Sequence, residues 1–186
     1  MKPRLTEQDY LDAAIQIGCS VAAIKAVASV ESRSSGFLRS GEPVILFEGH
    51  WFHNLTNGKY TNEKNRDISH KRWLRTYYSM NQHKRLAKAV KLDRDAALKS
   101  ASWGKFQIMG FNYKKCGFNS LQEFINAMYD SERAQLMAFV EFVISRGLDD
   151  ELIELDWASF AYGYNGPGYA KNNYHIKMRR AYENFA

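Results

Sequence analysis

The 186-residue sequence has only two cysteines, Cys19 and Cys116, which lie far apart. Their number and spacing exclude a disulfide framework and the paired cysteines of a structural zinc site. The polar N-terminus, which begins MKPRLTEQD, lacks the apolar stretch of a signal peptide. No apolar run approaches the length of a membrane span. We therefore expect two free thiols in a protein made in a reducing cytosol.

Several catalytic signatures are also missing. The sequence has no Gly-x-Ser-x-Gly elbow and no glycine-rich phosphate loop. Ser102-x-x-Lys105 resembles a penicillin-recognising string but lacks its Ser-Asp-Asn and Lys-Thr-Gly partners. Glu48, His50 and His53 form no zinc motif, so we expect structural roles for the two histidines. No metal and no organic cofactor are expected.

Aromatic residues and positive charge are abundant. Aromatic side chains make up 14% of the sequence, and the formal net charge is +6. The aromatic content excludes a disordered chain, and the length suits one domain with a substantial core. The charge favours a polyanionic partner such as nucleic acid, an anionic membrane face or an anionic cell wall. A solvated basic surface explains the charge equally well, and the basic run at 84–91 has the same two interpretations.

Helix signals dominate the chain, and we predict a mainly α fold with a small β element near residues 43–62. The capping residues Thr6, Asp93 and Ser120 each mark a helix start. The predicted strand covers Val44–Phe47, and a loop or weak hairpin is predicted over Asn54–Asp67. The predicted helices are Thr6–Gly18, Val21 to about Ser32, 70–92, Asp93–Lys99, Ser102–Met109 after its glycine, one or two helices over Ser120–Gly147, a short helix from Asp149 or Asp150, Asp156–Tyr164 and Tyr169–Phe185.

Glu31 interrupts an apolar pattern. On a helix that starts at Val21, the buried stripe passes through Ile24 and Val27 and reaches position 31. Burial first, and the negative end of the helix dipole second, would raise the pKa of this carboxyl. A carboxyl that stays protonated near neutral pH can act as a general acid. If the helix ends earlier, Glu31 is instead an ordinary exposed residue, and the pattern alone leaves both interpretations open.

A second acid, Glu48, follows the predicted strand and precedes a glycine. Two carboxylates in different surroundings are what glycoside hydrolysis requires, because one protonates the leaving oxygen and the other activates water or stabilises positive charge. A glutamate at a strand end is more often simply solvated. Taken alone, Glu48 is therefore a weak signal.

Three segments, "VESRSSGF", "SWGKFQIMG" and "FAYGYNGPGY", occur in the order used by the lysozyme superfamily. The last two resemble the Gly-x-x-Gln and Ala-Tyr-Asn motifs of goose-type lysozymes and lytic transglycosylases. The longer stretch "AVASVESRSSGFLRSGEPVILFEGHWFHNLT" resembles the N-acetylmuramidase family found in phage endolysins. The resemblance implies a lysozyme-like α+β single domain over residues 1–186. Many members of the family carry a separate peptidoglycan-binding module, and we expect none here, which is a departure from the family.

The resemblance also implies roles for individual residues. Glu31 matches the catalytic glutamate, and Glu48 matches an acidic residue after the strand. Gln107 matches a glutamine that lines the sugar cleft, while Tyr164 and Asn165 match a pair that supports the glutamate and the substrate. One departure is a glycine at position 163, where the transglycosylase string has alanine. We expect this Gly163 to loosen the helix locally.

The function implied is that of an endolysin that hydrolyses the β-1,4 bond between N-acetylmuramic acid and N-acetylglucosamine. A lytic transglycosylase, which breaks the same bond without water, is an alternative. A non-catalytic module that binds wall or nucleic acid is a second one, favoured only by charge. We expect a monomer that acts on peptidoglycan, with anionic wall or outer-membrane polymers as further partners and no nucleic acid. It would stay in the host cytoplasm until the membrane is opened.

Overall fold

The computed structural model describes residues 2–31 and 35–186. The prediction of a mainly α fold with a small β element is confirmed. A three-stranded antiparallel sheet has the order β1-β2-β3. The helices are α1 Glu7–Ile17, α2 Val21–Glu31, α3 Gly49–Leu55, α4 Gln82–Val90, α5 Arg94–Lys99, α6 Leu121–Asp130, α7 Glu132–Ser145, α8 Asp149–Ile153, α9 Trp157–Asn165 and α10 Tyr174–Phe185, and the strands are β1 Ile45–Phe47, β2 Ala101–Trp103 and β3 Ile108–Met109.

Most helix starts follow the capping residues in the sequence. Thr6 and Asp9 form a complete capping box at the start of α1, and Gly18 ends that helix in the left-handed conformation. Asp93 caps α5 by accepting a hydrogen bond from the backbone of Ala96. Ser120 caps α6 in the same way. These local hydrogen bonds explain why the helix starts could be predicted without tertiary information.

The segment Ser102–Met109 is a β-hairpin, so the predicted helix there is wrong. Strand β2 pairs with β1 through Ile45 and Trp103, and with β3 through Ser102 and Met109. The turn between β2 and β3 holds both Gly104 and Gln107 at positive φ. A non-glycine residue rarely adopts this conformation, which is incompatible with a continuous helix. The small sheet therefore takes only β1 from the region 43–62.

Three other predicted boundaries also change. Residues 70–81 contain a short 3-10 turn over Arg75–Tyr77 instead of a long helix, and Asn81 then caps α4. The region 54–67 contains the end of α3 and a 3-10 turn over Glu63–Asn65, and no strand is formed in it. The last helix begins at Tyr174 rather than Tyr169. The predicted end of the second helix at Ser32 lies outside the described residues.

The core is built around α7 and the apolar face of α2. On α7, Leu136, Phe139, Val140 and Val143 are fully buried. Helix α2 buries a stripe that includes Ile24, Val27 and Ala28 and packs against α1 and α10. This packing fixes the C-terminal end of α2, where Glu31 lies.

No single helix among the described residues has both the length and the apolar character of a membrane span. Helices α1 and α2 pass such a test only as a pair, and they are bent by 110° relative to each other. Core helices of soluble proteins give the same signal, and α2 buries most of its apolar residues.

Gly163 does not loosen its helix, because α9 continues through it to Asn165. A Cβ atom added at this position would lie 2.3 Å from the Cδ2 atom of buried Leu148. The glycine thus allows α9 to approach the segment around Leu148 closely. Glycine in place of alanine therefore permits close packing against Leu148, and this packing fixes the position of the end of α9.

Candidate active site

Glu31 is the last residue of α2, and its carboxyl group is largely withdrawn from solvent. Burial raises the pKa of Glu31 to about 7, against the opposing effect of a hydrogen bond from Asn165. That bond joins Asn165 Nδ2 to Glu31 Oε1 over 2.9 Å. Helix α2 thus extends as far as Glu31, and the carboxyl is buried, as the continuation of the apolar stripe to position 31 predicts. Such a group holds its proton close to neutral pH.

Asn165 ends α9 and lies where that helix meets α2. Its amide nitrogen binds Glu31, while its Oδ1 atom is buried and accepts no hydrogen bond from the part of the chain that the structure describes. An amide oriented in this way can hold the acid and still accept a hydrogen bond from a bound molecule. Asn165 is thus placed beside the acid, and a contact with substrate stays a prediction.

Tyr164 precedes Asn165 and anchors α9 to the hairpin. Its hydroxyl donates a 2.7 Å hydrogen bond to the carbonyl oxygen of Phe106, and its ring stacks on Phe160 at a centroid distance of 5.5 Å. Burial and the charge of Glu31 both raise the pKa of Tyr164. Because its hydroxyl is used within the fold, the structure gives Tyr164 a supporting position rather than a free polar group for substrate.

Glu48 follows β1 directly and precedes α3, so two elements fix its backbone. The Tyr78 hydroxyl donates a 2.7 Å hydrogen bond to Glu48 Oε1, and His50 Nδ1 lies 3.4 Å from Glu48 Oε2. Burial and the neighbouring Glu48 raise the pKa of Tyr78, so the phenol remains a donor. Glu48 is therefore held in a defined orientation.

An open cleft of about 480 Å³ is lined by some of these groups. Asn165, which binds Glu31, contributes to its wall, and so does Glu48. Tyr174 also lines the cleft, and its pKa is raised by burial and by the charge of Glu31. Glu48 thus lines the cleft directly, whereas Glu31 adjoins it through Asn165. Its described lining residues are Leu46, Glu48, Trp73, Arg75, Tyr78, Asn165, Asn172 and Tyr174.

Gln107 lies in the hairpin turn, next to the carbonyl that holds Tyr164. Its side-chain oxygen accepts a 2.8 Å hydrogen bond from Ser102, and its Nε2 donates to the carbonyl of Gly104 over 2.8 Å. Among the described residues, neither acid is hydrogen bonded to Gln107. In this structure Gln107 stabilises the turn, and a direct contact with sugar stays a prediction.

The segment at Ser35 and Gly36 is held by a buried acid. Glu132, at the start of α7, is only 2% exposed. Its Oε1 accepts hydrogen bonds from the backbone of Gly36 over 2.6 Å and from the Ser35 hydroxyl over 2.8 Å. This acid satisfies backbone donors in the interior and stabilises the path of the chain close to the end of α2.

The histidines near Glu48 have separate contacts. His53 Nδ1 lies 2.7 Å from the Thr61 hydroxyl, whereas His50 is beside Glu48. Within residues 2–31 and 35–186, no three histidine, cysteine or acidic side chains converge as metal ligands would. The donor set around Glu48 contains one carboxylate and one histidine, fewer than the three or four protein ligands typical of zinc sites.

Sequence reasoning missed the cleft residues that lie between residues 70 and 80 and those just before or at the start of α10. These are Trp73, Arg75, Tyr78, Asn172 and Tyr174. The stretch "WLRTYY" offered a signal, because it combines aromatic and basic residues without an apolar period. Such a composition is unusual for the wet face of a helix and is typical of binding surfaces.

Comparison with known proteins adds two similarities. Residues 20–186 match the Muramidase family, described as N-acetylmuramidase. The chain is also similar to the crystal structure of the Burkholderia AP3 phage endolysin, with 37% sequence identity and a TM-score of 0.88. That similarity covers 98% of this chain and 70% of the endolysin chain. No curated protein matches the sequence.

Proposed function

The chain belongs to the N-acetylmuramidase family, and on that premise we propose that it hydrolyses the glycan strands of bacterial peptidoglycan. The bond cleaved is the β-1,4 linkage between N-acetylmuramic acid and N-acetylglucosamine, and the biological role is host lysis by a phage. The observation that carries this proposal is the state of Glu31, whose pKa of about 7 keeps a large share of the carboxyl protonated at neutral pH. A glycosidase needs such an acid beside its substrate cleft.

Glu31 acts as the general acid. It donates its proton to the glycosidic oxygen as the bond to the anomeric carbon breaks, and that carbon acquires positive charge. Asn165 holds the carboxyl through its 2.9 Å hydrogen bond to Oε1, which leaves Oε2 to carry the proton that is transferred. The same bond partly offsets the effect of burial, which keeps the pKa of Glu31 near the working range instead of higher.

Glu48 is the second acid. Ionised, it stabilises the oxocarbenium-like state and orients the water that attacks the anomeric carbon. The Tyr78 hydroxyl occupies its Oε1 atom at 2.7 Å, which leaves Oε2, near His50, for water. The two acids then differ in their surroundings, since burial raises the pKa of Glu31 whereas Glu48 lines the cleft and accepts a hydrogen bond from Tyr78.

The partners follow from this chemistry. The neutral amides of Asn165 and Asn172 line the cleft and suit the acetamido groups of the sugars, which both donate and accept hydrogen bonds. The net charge of +6 attracts the protein to anionic wall or outer-membrane polymers. We further propose a monomer that acts without metal, cofactor or nucleic acid, held in the host cytoplasm until the membrane opens.

The decisive experiment is digestion of purified peptidoglycan in ¹⁸O-labelled water, followed by mass spectrometry of the released fragments. Hydrolysis predicts muramic acid at new reducing ends with one labelled oxygen. A lytic transglycosylase would instead release 1,6-anhydromuramic acid without label, and a non-catalytic binding module would release nothing. A digest with the Glu31→Gln variant controls for contaminating activity.

A further inference from the structure

Arg75 is the one cation among the described residues that line the cleft. It lies in the 3-10 turn Arg75–Tyr77 and lines the cleft together with Glu48. No side chain within residues 2–31 and 35–186 forms an ion pair or hydrogen bond with its guanidinium. Other cations of this region do have partners, for example Lys88, which pairs with Asp67 at 2.6 Å. A guanidinium has five donors in a fixed plane and matches a carboxylate well.

Trp73 lies two residues earlier and presents its indole to the same cleft. It is 58% exposed, which is unusual for the largest apolar side chain. Its ring meets the Tyr78 ring edge-on at a centroid distance of 5.8 Å, and Tyr78 in turn donates to Glu48. The exposed indole is therefore held by a chain of contacts to the second acid. An exposed, fixed aromatic face of this kind is suited to the apolar face of a sugar ring.

Charge explains why a cation is needed beside this platform. Glu48 would repel an anionic polymer that enters the cleft, and a cation nearby offsets that repulsion. In peptidoglycan, only one of the two alternating sugars bears an acidic substituent, the lactyl ether of N-acetylmuramic acid. Its carboxyl is free in peptide-free strands, and in peptide-bearing strands the attached stem carries carboxylates instead.

We infer that Trp73 and Arg75 form the subsite that distinguishes N-acetylmuramic acid from N-acetylglucosamine, in which the indole stacks on the sugar ring and the guanidinium binds a carboxylate of the lactyl ether or its peptide. This inference rests on the proposed function and assigns its substrate specificity. It predicts that Arg75 strengthens the binding only of glycans that carry a carboxylate, whereas Trp73 strengthens the binding of any glycan.

The test is calorimetric binding in the Glu31→Gln background, which prevents turnover of the probes. Three probes are compared: chito-oligosaccharides without a carboxylate, peptide-free glycan strands and peptide-bearing glycan fragments. Arg75→Ala should weaken binding of carboxylate-bearing probes about 10-fold and leave the chito-oligosaccharides unchanged. Trp73→Ala should weaken all three. Loss confined to one acidic probe identifies the lactyl carboxyl or the peptide stem as the group bound.

Arg72→Ala is the matched control, because it removes an exposed arginine from the same segment, outside the cleft lining. The inference is wrong if Arg75→Ala weakens chito-oligosaccharide binding equally, or if it changes binding no more than Arg72→Ala does. Failure of the proposed function is distinguishable from this. A wild-type protein that binds acidic glycans through Arg75 but releases no reducing ends would contradict the hydrolase and leave the subsite intact.

Discussion

The Nδ2 atom of Asn165 donates a hydrogen bond to Oε1 of Glu31 over 2.9 Å, and this joins the ends of two helices separated by 134 positions in the sequence. A donated hydrogen bond stabilises the charged carboxylate, whereas burial destabilises it. The pKa of Glu31 at about 7 is the balance of these two effects. The contact therefore sets both the position of the acid and the pH at which it loses its proton.

Replacement of Asn165 by alanine should raise the pKa of Glu31 further, because only the bond that lowers it is lost. We expect the alkaline limb of the profile of kcat/KM against pH to move to higher pH, while the maximal rate falls because the acid is less well oriented. The profile is measured by release of reducing ends. Asn172→Ala, which changes the same cleft without touching this bond, should leave the limb in place. A downward shift in Asn165→Ala would contradict the balance.

The stability of the protein should depend on the charge of Glu31. The folded-state pKa is about 7 and the ordinary value is 4.5, so the folded protein binds more protons than the unfolded chain between these pH values. Stability from this group is then fully present below about pH 4.5 and is lost as the pH rises through about 7. Glu31→Gln cannot ionise and so does not lose this stability. The free energy of unfolding of the variant minus that of the wild type should therefore increase from pH 4.5 to about pH 7.

Denaturant unfolding at a series of pH values measures this difference. Glu154→Gln, an exposed acid on the surface, is the matched control. A stability difference between Glu31→Gln and wild type that does not change between pH 4.5 and pH 7 would show that the acid is not destabilised by burial.

Tyr78 should matter for catalysis only through Glu48. Tyr78→Phe removes the 2.7 Å hydrogen bond to Glu48 Oε1 and keeps the ring that contacts Trp73. Because a hydrogen bond to a charged group is worth about 1.5–3 kcal/mol, we expect kcat to fall at least about 10-fold. In the Glu48→Gln background the same change should have little further effect. Tyr77→Phe is the control, and equal losses in the two tyrosine variants would refute the specific role of Tyr78.

Metal removal should leave activity unchanged. His53 is bonded to Thr61 instead of joining His50 beside Glu48, so these side chains do not form a ligand set. We expect full release of reducing ends after exhaustive treatment with EDTA and gel filtration. Activity that is lost and then restored only by zinc would overturn the two-carboxylate mechanism.

The sequence allowed the local parts of this structure to be predicted. Helix starts at Thr6, Asp93 and Ser120 depend on side chains that bind the backbone three positions on, so they are visible in short windows. Helix periodicity also offered a buried Glu31 as one of two interpretations, and the structure agrees with it. The hairpin over 101–109 could not be found in this way, because β2 pairs with β1 from more than 50 positions earlier and its turn depends on positive φ at Gln107.

The candidate site was also predictable only in part. Glu31, Glu48 and Asn165 stood out by pattern or by family resemblance. Glu48 and Asn165 line one cleft, and Glu31 is hydrogen bonded to Asn165. Trp73 and Arg75 did not stand out as site residues, because the basic region 70–92 was predicted to be a helix. Their place in the cleft arises from tertiary packing of an irregular segment, which carries no periodic signal.

The central claim is that Glu31 supplies the proton, and the rate of reducing-end release by Glu31→Gln tests it most directly. The glutamine keeps the oxygen that Asn165 binds but has no transferable proton. With the fold confirmed by circular dichroism, we predict a rate about 10²- to 10⁴-fold below wild type, and a smaller loss for Glu48→Gln. A Glu31→Gln protein that retains more than about a tenth of wild-type activity would contradict the assignment.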